Sequence, residues 1–146
     1  MKRNTIIKIF AGLFLVGIIS AGLVYTFVIN KPHRDYEKAR PAFILSAADL
    51  FNSFHSDRQE AESKFNGQVV LLFGKLDKIE NDGSLVTGVF VFNQGIFGDE
   101  GIRCAMLPDY AAGLTNMPEG SEIRLKGYLT GYNDTDVILE NCSIIQ

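Results

Sequence analysis

Over residues 120–145 the chain alternates between apolar and polar positions. Ile123, Leu125, Gly127 and Leu129 take turns with Glu122, Arg124, Lys126 and Tyr128, the period of two that puts one face of a strand in a core and the other in water. A second strand runs from Val137 to Ile145. The connection Thr130–Asp136, rich in Gly, Asn and Asp, reads as a hairpin loop. A hairpin of this kind is marginal alone, so it predicts a small β domain upstream. Gln68–Ile79 is expected to be its first strand, apolar on both sides over Val69–Phe73 and interrupted by Gly74, where a bend or bulge belongs. Asn81-Asp82-Gly83 is a hairpin turn and Leu85–Phe92 a second strand. Asn93–Gly101 reads as a loop with an exposed Phe97, and Ile102–Leu107 as a third strand. Pro108–Met117 reads as a short helix or irregular link.

Ahead of the sheet the period becomes helical. Ser46 is a good N-cap with Asp49 three residues on, and Leu50, Phe51, Phe54, Ala61 and Phe65 form one apolar face. Asn66-Gly67 ends the pattern, so one amphipathic helix over 46–65 is expected to pack on the sheet, with His55 on its surface. Further back, Ile9–Ile29 is 21 residues without a charge, enough for ~31 Å of helix, about the thickness of a bilayer core. A cleaved signal peptide and a buried core helix compete with this reading, the first because Ser20-Ala21-Gly22 offers a small-residue cleavage site. The apolar run continues past that site, which favours an uncleaved transmembrane helix. The predicted organisation is a basic N-terminus (1–8), a membrane span (9–29), a linker (30–41) and one domain (42–146).

Charge sharpens this division. From Pro41 onward there are 7 Lys+Arg against 15 Asp+Glu, a net of −8, whereas the first 40 residues carry 7 basic and 2 acidic residues. An acidic domain on a basic leader is biased against a phosphate backbone as partner. The two cysteines and two histidines are scattered without zinc spacing. Asn133, Asp134 and Asp136 are explained by turn chemistry without a metal. No nucleophile–base pair or phosphate loop is legible, so the expectation is a non-enzyme without cofactor.

Five strands, a glycine bend in the first and a link between the third and fourth are the order of an OB-fold, a five-stranded Greek-key barrel. The expected class is therefore mainly β: an OB barrel preceded by one amphipathic helix and an N-terminal transmembrane helix. The segments N-K-P-H-R-D (30–35), S-A-A-D-L-F (46–51) and G-Q-V-V-L-L-F-G-K-L (67–76) resemble the tRNA-anti-like family of small bacterial OB-fold proteins. So do G-I-R-C-A-M-L (101–107), K-G-Y-L-T-G-Y (126–132) and D-V-I-L-E-N-C-S-I (136–144). The resemblance covers residues 30–145 and implies the OB topology and an N-terminal membrane segment or lipoprotein signal, with no established activity. The loop 93–101 is longer than is usual in the group.

In such a barrel strands three and five are neighbours, which makes Cys104 and Cys142 a candidate disulfide in an oxidising compartment, two buried free thiols being the alternative. The usual OB ligand face would draw on Phe90, Phe92, Arg103, Tyr128 and Tyr132, with Arg124 and Lys126 nearby. The functional expectation is a binding module anchored in the bacterial inner membrane by a single span. Its domain would be periplasmic and would bind an envelope protein, peptide or glycan. A single-stranded nucleic-acid binder is the disfavoured alternative.

Overall fold

The computed structural model describes residues 3–25, with side chains from residue 12, and residues 35–146. Helix α1 (Arg3–Val24) stands as its own unit. Every described side chain on it is exposed, Leu13, Phe14, Val16 and Ile19 among them. Among the described residues no helix is long and apolar enough to cross a membrane. The expected span Ile9–Ile29 is thus not found as such. Its last four residues lie outside the described ones, and the described side chains cover 12–25, about 21 Å of helix where a crossing needs roughly 20 residues. Of the expected linker 30–41, residues 30–34 also lie outside the described residues. The remainder opens with one helical turn, in which Ala39 N donates to Asp35 O (3.1 Å) and Lys38 N to the Asp35 carboxylate (3.3 Å).

Residues 35–146 form the second unit. It begins with a strand the sequence did not announce, β1 (Phe43–Ser46), followed by α2 (Ala47–Ser56) and α3 (Arg58–Phe65). Ser46 caps α2 as expected, its Oγ accepting from Asp49 N at 3.0 Å. The single helix expected over 46–65 is broken at Asp57, whose backbone is extended (φ −147°, ψ 92°). Its carboxylate accepts from Glu60 N (3.0 Å). A short acceptor followed three residues on by Glu is a helix-start signal in its own right, and here it restarts the helix. Leu50, Phe51, Phe54, Ala61 and Phe65 are all buried, so the predicted stripe does face the core.

The sheet runs β1-β2-β6-β7-β5-β4-β3, with β2 Val69–Lys75, β3 Lys78–Asn81, β4 Val86–Gly95, β5 Gly98–Met106, β6 Glu122–Tyr132 and β7 Asp136–Ile144. Seven strands replace the expected five for two reasons. β1 adds an outer strand parallel to β2, and the expected first strand splits at Leu76–Asp77. At that break Leu76 N donates to Ser121 O (2.9 Å) on one side and Asp77 N to Val89 O (3.0 Å) on the other. Consecutive residues thus join the two sides of the sheet, and it curls back on itself. The parallel β5–β7 pair and antiparallel β2–β6 pair follow the OB order. Helix α4 (Pro108–Thr115), with Pro at its first turn, drives Leu114 into one end of the barrel against Gly88.

The expected loop Asn93–Gly101 is instead a β-arm. Gly95 pairs with Gly98, leaving Ile96 and Phe97 at the tip, 93% and 88% exposed. The segment reads as loop because its three glycines, Gly95, Gly98 and Gly101, lower strand propensity. Here Asn93 Nδ2 donates to Glu100 (2.9 Å) and Gln94 Nε2 to Asp99 (3.4 Å) across the stem.

Cys104 and Cys142 do come together, but as free, fully buried thiols. A bulge after Cys104 leaves it opposite Leu139 and sets Cys142 opposite Met106. Across this shifted register the two side chains meet in a hydrogen bond between thiols and are not bridged. The expected disulfide is therefore corrected to a thiol pair. Burial, then the hydrogen bond with Cys104, pushes the Cys142 thiol well above its ordinary pKa. Reaction requires thiolate and access, so a disulfide-exchange dye should label neither sulfur in the native domain and both in denaturant. Fast labelling without denaturant would show the β5–β7 seam open.

Candidate ligand face of the barrel

The seven residues expected to form one ligand face are divided among several environments. Phe90 points inward, is fully buried and packs beneath Gly74. Phe92 is partly exposed, but its ring stacks on Phe51 of α2 (5.3 Å between centroids). Tyr132 leans on Phe54 (5.5 Å), carries the Arg58 guanidinium over its ring and donates its hydroxyl to Asp134 O (3.0 Å). Burial raises its pKa. Arg124, Lys126 and Tyr128 share the outward face of β6, away from β4 and β5. There Lys126 is only 8% exposed, its ammonium donating to Glu37 O and to Ala39 O (3.1 Å). Arg124 is exposed beside an open groove of about 470 Å³ walled by Phe73, Ile123 and Ile144. Arg103 alone lies on the outward face of β3, β4 and β5.

That face is built from two cross-strand rows, Lys78–Val89–Arg103–Ile138 and Glu80–Thr87–Ala105. Val89 is buried between its charged neighbours, as the alkyl stems of Lys and Arg allow. Lys78 is ion-paired with Asp99. Arg103 Nε donates to Asp136 (3.0 Å) and its Nη1 to Glu80 (2.5 Å). Burial is the largest influence on the Arg103 guanidinium and opposes its charge. The hydrogen bonds and charges of Asp136 and Glu80 outweigh it and hold the pKa above the ordinary value. The Lys78 hydrogen bond draws the Asp99 carboxyl below its usual range. Asp77 accepts from Val91 N (2.8 Å) and Asp136 also from Gly101 N (3.1 Å). Two cations thus meet three carboxylates, and each cation is already engaged.

Among the described residues no group of His, Cys, Asp or Glu is placed to hold a metal ion. Asn133 is occupied as a turn cap, accepting from Thr135 N (3.2 Å) and Asp136 N (2.7 Å), and Asp134 is ion-paired with Arg58. Sequence reasoning missed Lys78, Glu80, Asp99 and Asp136. Alternation along Lys78-Ile79-Glu80 carried a local signal for the first two; the other two arrive by long-range register.

The family model described as tRNA_anti-like matches residues 1–144. Among solved structures, a "putative nucleic acid-binding lipoprotein" from Klebsiella pneumoniae is similar in fold at 15% identity, with 80% of this chain and 100% of that one covered and a TM-score of 0.53. A "putative aspartyl-tRNA synthetase" from Leishmania major aligns at 10% identity over 87% of this chain and 26% of its own, with a TM-score of 0.47. No curated protein matches in sequence.

Proposed function

The chain belongs to the tRNA_anti-like family, and from that premise we propose that it is a non-enzymatic OB-fold module that binds a polypeptide of the bacterial envelope. In this reading the uncharged run Ile9–Ile29 holds it at the inner membrane, with the barrel on the periplasmic side. The exposed apolar side chains of α1 support the anchor, and the basic-then-apolar order of the leader, that of an export signal, supports the periplasmic placement. Retention of the full chain in the membrane pellet after alkaline extraction is the expected result; release into the supernatant overturns the anchor.

The observation that carries the ligand reading is the engagement of Lys78 and Arg103 by Asp99, Glu80 and Asp136. A phosphate backbone gains affinity by releasing counterions from cations it neutralises. On this face it would first have to break ion pairs and then approach the excess carboxylates. A polypeptide, with donors as well as acceptors, meets no such penalty. The second reading, a single-stranded nucleic-acid binder, is favoured by the name of the Klebsiella neighbour and by the fold.

An oligonucleotide titration separates the two. Mixed single-stranded DNA and RNA should show no saturable binding to residues 35–146 at about 150 mM salt. Binding whose logarithm falls linearly with the logarithm of salt, and which disappears in Arg103→Ala, would establish the second reading instead.

A further inference from the structure

The segment 35–42 lies on the outward face of β6 in a way that resembles a bound ligand. Its single turn is closed by Asp35 and followed by Ala42 N donating to Val69 O (2.7 Å). Tyr36 lays its ring on Tyr128, 4.7 Å between centroids. The Glu37 carboxylate accepts from the Tyr110 hydroxyl (2.6 Å). The turn's last carbonyls, Glu37 O and Ala39 O, receive the Lys126 ammonium, as a cation is received at a helix C-terminus. A lysine this buried ordinarily faces a carboxylate; this one faces backbone oxygens. The barrel therefore supplies a three-point receptor from α4 and β6, and the segment supplies a ring, an acid and two carbonyls.

The contact is separable from folding. No residue of 35–42 is buried, and the core begins at Ala47. Its chemistry also selects the class of ligand. A ring can come from many sources, but two amide carbonyls two residues apart on one ammonium, with a carboxylate on a phenol alongside, describe a polypeptide turn.

We propose that Tyr110, Lys126 and Tyr128 form a recognition site for a short polypeptide turn carrying an aromatic residue followed by an acidic one, filled in cis by Tyr36-Glu37 and taken in trans by an envelope partner of that chemistry. The inference rests on the polypeptide-binding reading above and adds the site and the ligand motif. The cis segment competes at the millimolar effective concentration that a short tether provides, so the site is closed until a partner with further contacts displaces it.

The test uses residues 35–146 and a fluorescent peptide spanning residues 34–42. The double variant Tyr36→Ala/Glu37→Ala opens the site, and it should bind the peptide at least tenfold more tightly than the unaltered domain. On that opened background Lys126→Met should weaken binding at least tenfold. Tyr110→Phe, which removes one hydroxyl from a partly exposed tyrosine, should weaken it several-fold. In the unaltered domain trypsin should cut slowly after Lys38, the one basic residue of the segment that does not precede a proline, and Lys126→Met should accelerate the cut.

An opened variant that melts like the parent yet binds the peptide no better overturns the proposal. If oligonucleotides also fail to bind, only this site is lost and the polypeptide reading stands. If the peptide fails while an oligonucleotide binds in a salt-dependent way, both fall.

Discussion

Gly101→Ala should destabilise the domain by about 3 kcal/mol or more, among the larger effects a single methyl group can produce. Gly101 lies in β5 opposite Val91, at the bulge between Val91 and Asn93. A Cβ there would overlap the Phe90 carbonyl oxygen and stand 2.9 Å from its carbon and 3.2 Å from Val91 Cα. All three atoms are backbone, so no rotamer change relieves the clash. Movement the other way is also blocked, because Gly101 N is held by Thr135 O (3.2 Å) and the Asp136 carboxylate (3.1 Å). The strands must part or the bulge must rearrange. With roughly 4–8 °C of melting temperature per kcal/mol in a domain of about this size, the midpoint should fall by more than ~10 °C in a thermal melt of residues 35–146. A fall below ~3 °C would show that the β4–β5 approach is slacker than described.

Phe54→Ala is the second large effect, expected at about 3–5 kcal/mol from lost transfer energy and an unfilled cavity. Phe54 is 1% exposed and is the point where three elements meet: its own α2, α3 through Phe65 (6.2 Å between ring centroids) and β6 through Tyr132 (5.5 Å). Urea unfolding distinguishes two outcomes. If the helix pair stays docked, the midpoint falls and the slope m is unchanged. If α2 and α3 detach from the barrel, m falls as well, since less surface remains to expose. Phe54→Leu keeps most of the volume and should cost less than about 1.5 kcal/mol. Equal losses in the two variants would mean that the ring's shape, and not its volume, holds the helices.

The alternation in Ile123–Leu129 and the spacing of Leu50, Phe51, Phe54, Ala61 and Phe65 reveal which face of each element is buried, and burial follows both except at Lys126, which the turn at 35–39 covers. The Ser46 cap was equally legible because its partner, Asp49 N, is three residues away. These are local facts: periodicity and capping depend on a residue's near neighbours. The break at Asp57 was written in the same local language, Asp followed three on by Glu, but the continuous apolar stripe obscured it.

The candidate site was another matter. Lys126 and Tyr128 alternate outward as expected, yet their partners are 87 to 92 residues away in the turn Tyr36–Ala39. What was read as linker became the occupant of the face. Phe90 and Phe92, two apart on one strand, were grouped as ligand aromatics. The core takes the first, and the second stacks on Phe51 of α2 while staying partly exposed. The cysteines were placed on neighbouring strands correctly, and one bulge moved them off register. From sequence alone came the acidic charge of the domain, the buried faces, the order of strands and the family resemblance. Only the tertiary structure decided that the arm 93–101 is a strand pair, that Lys78 and Arg103 are already engaged, and that the lysine of β6 is capped by the chain's own turn. The physical reason is range. Burial patterns are encoded within a few residues, whereas ion pairs and hydrogen bonds form between groups that only the register of a closed barrel brings together.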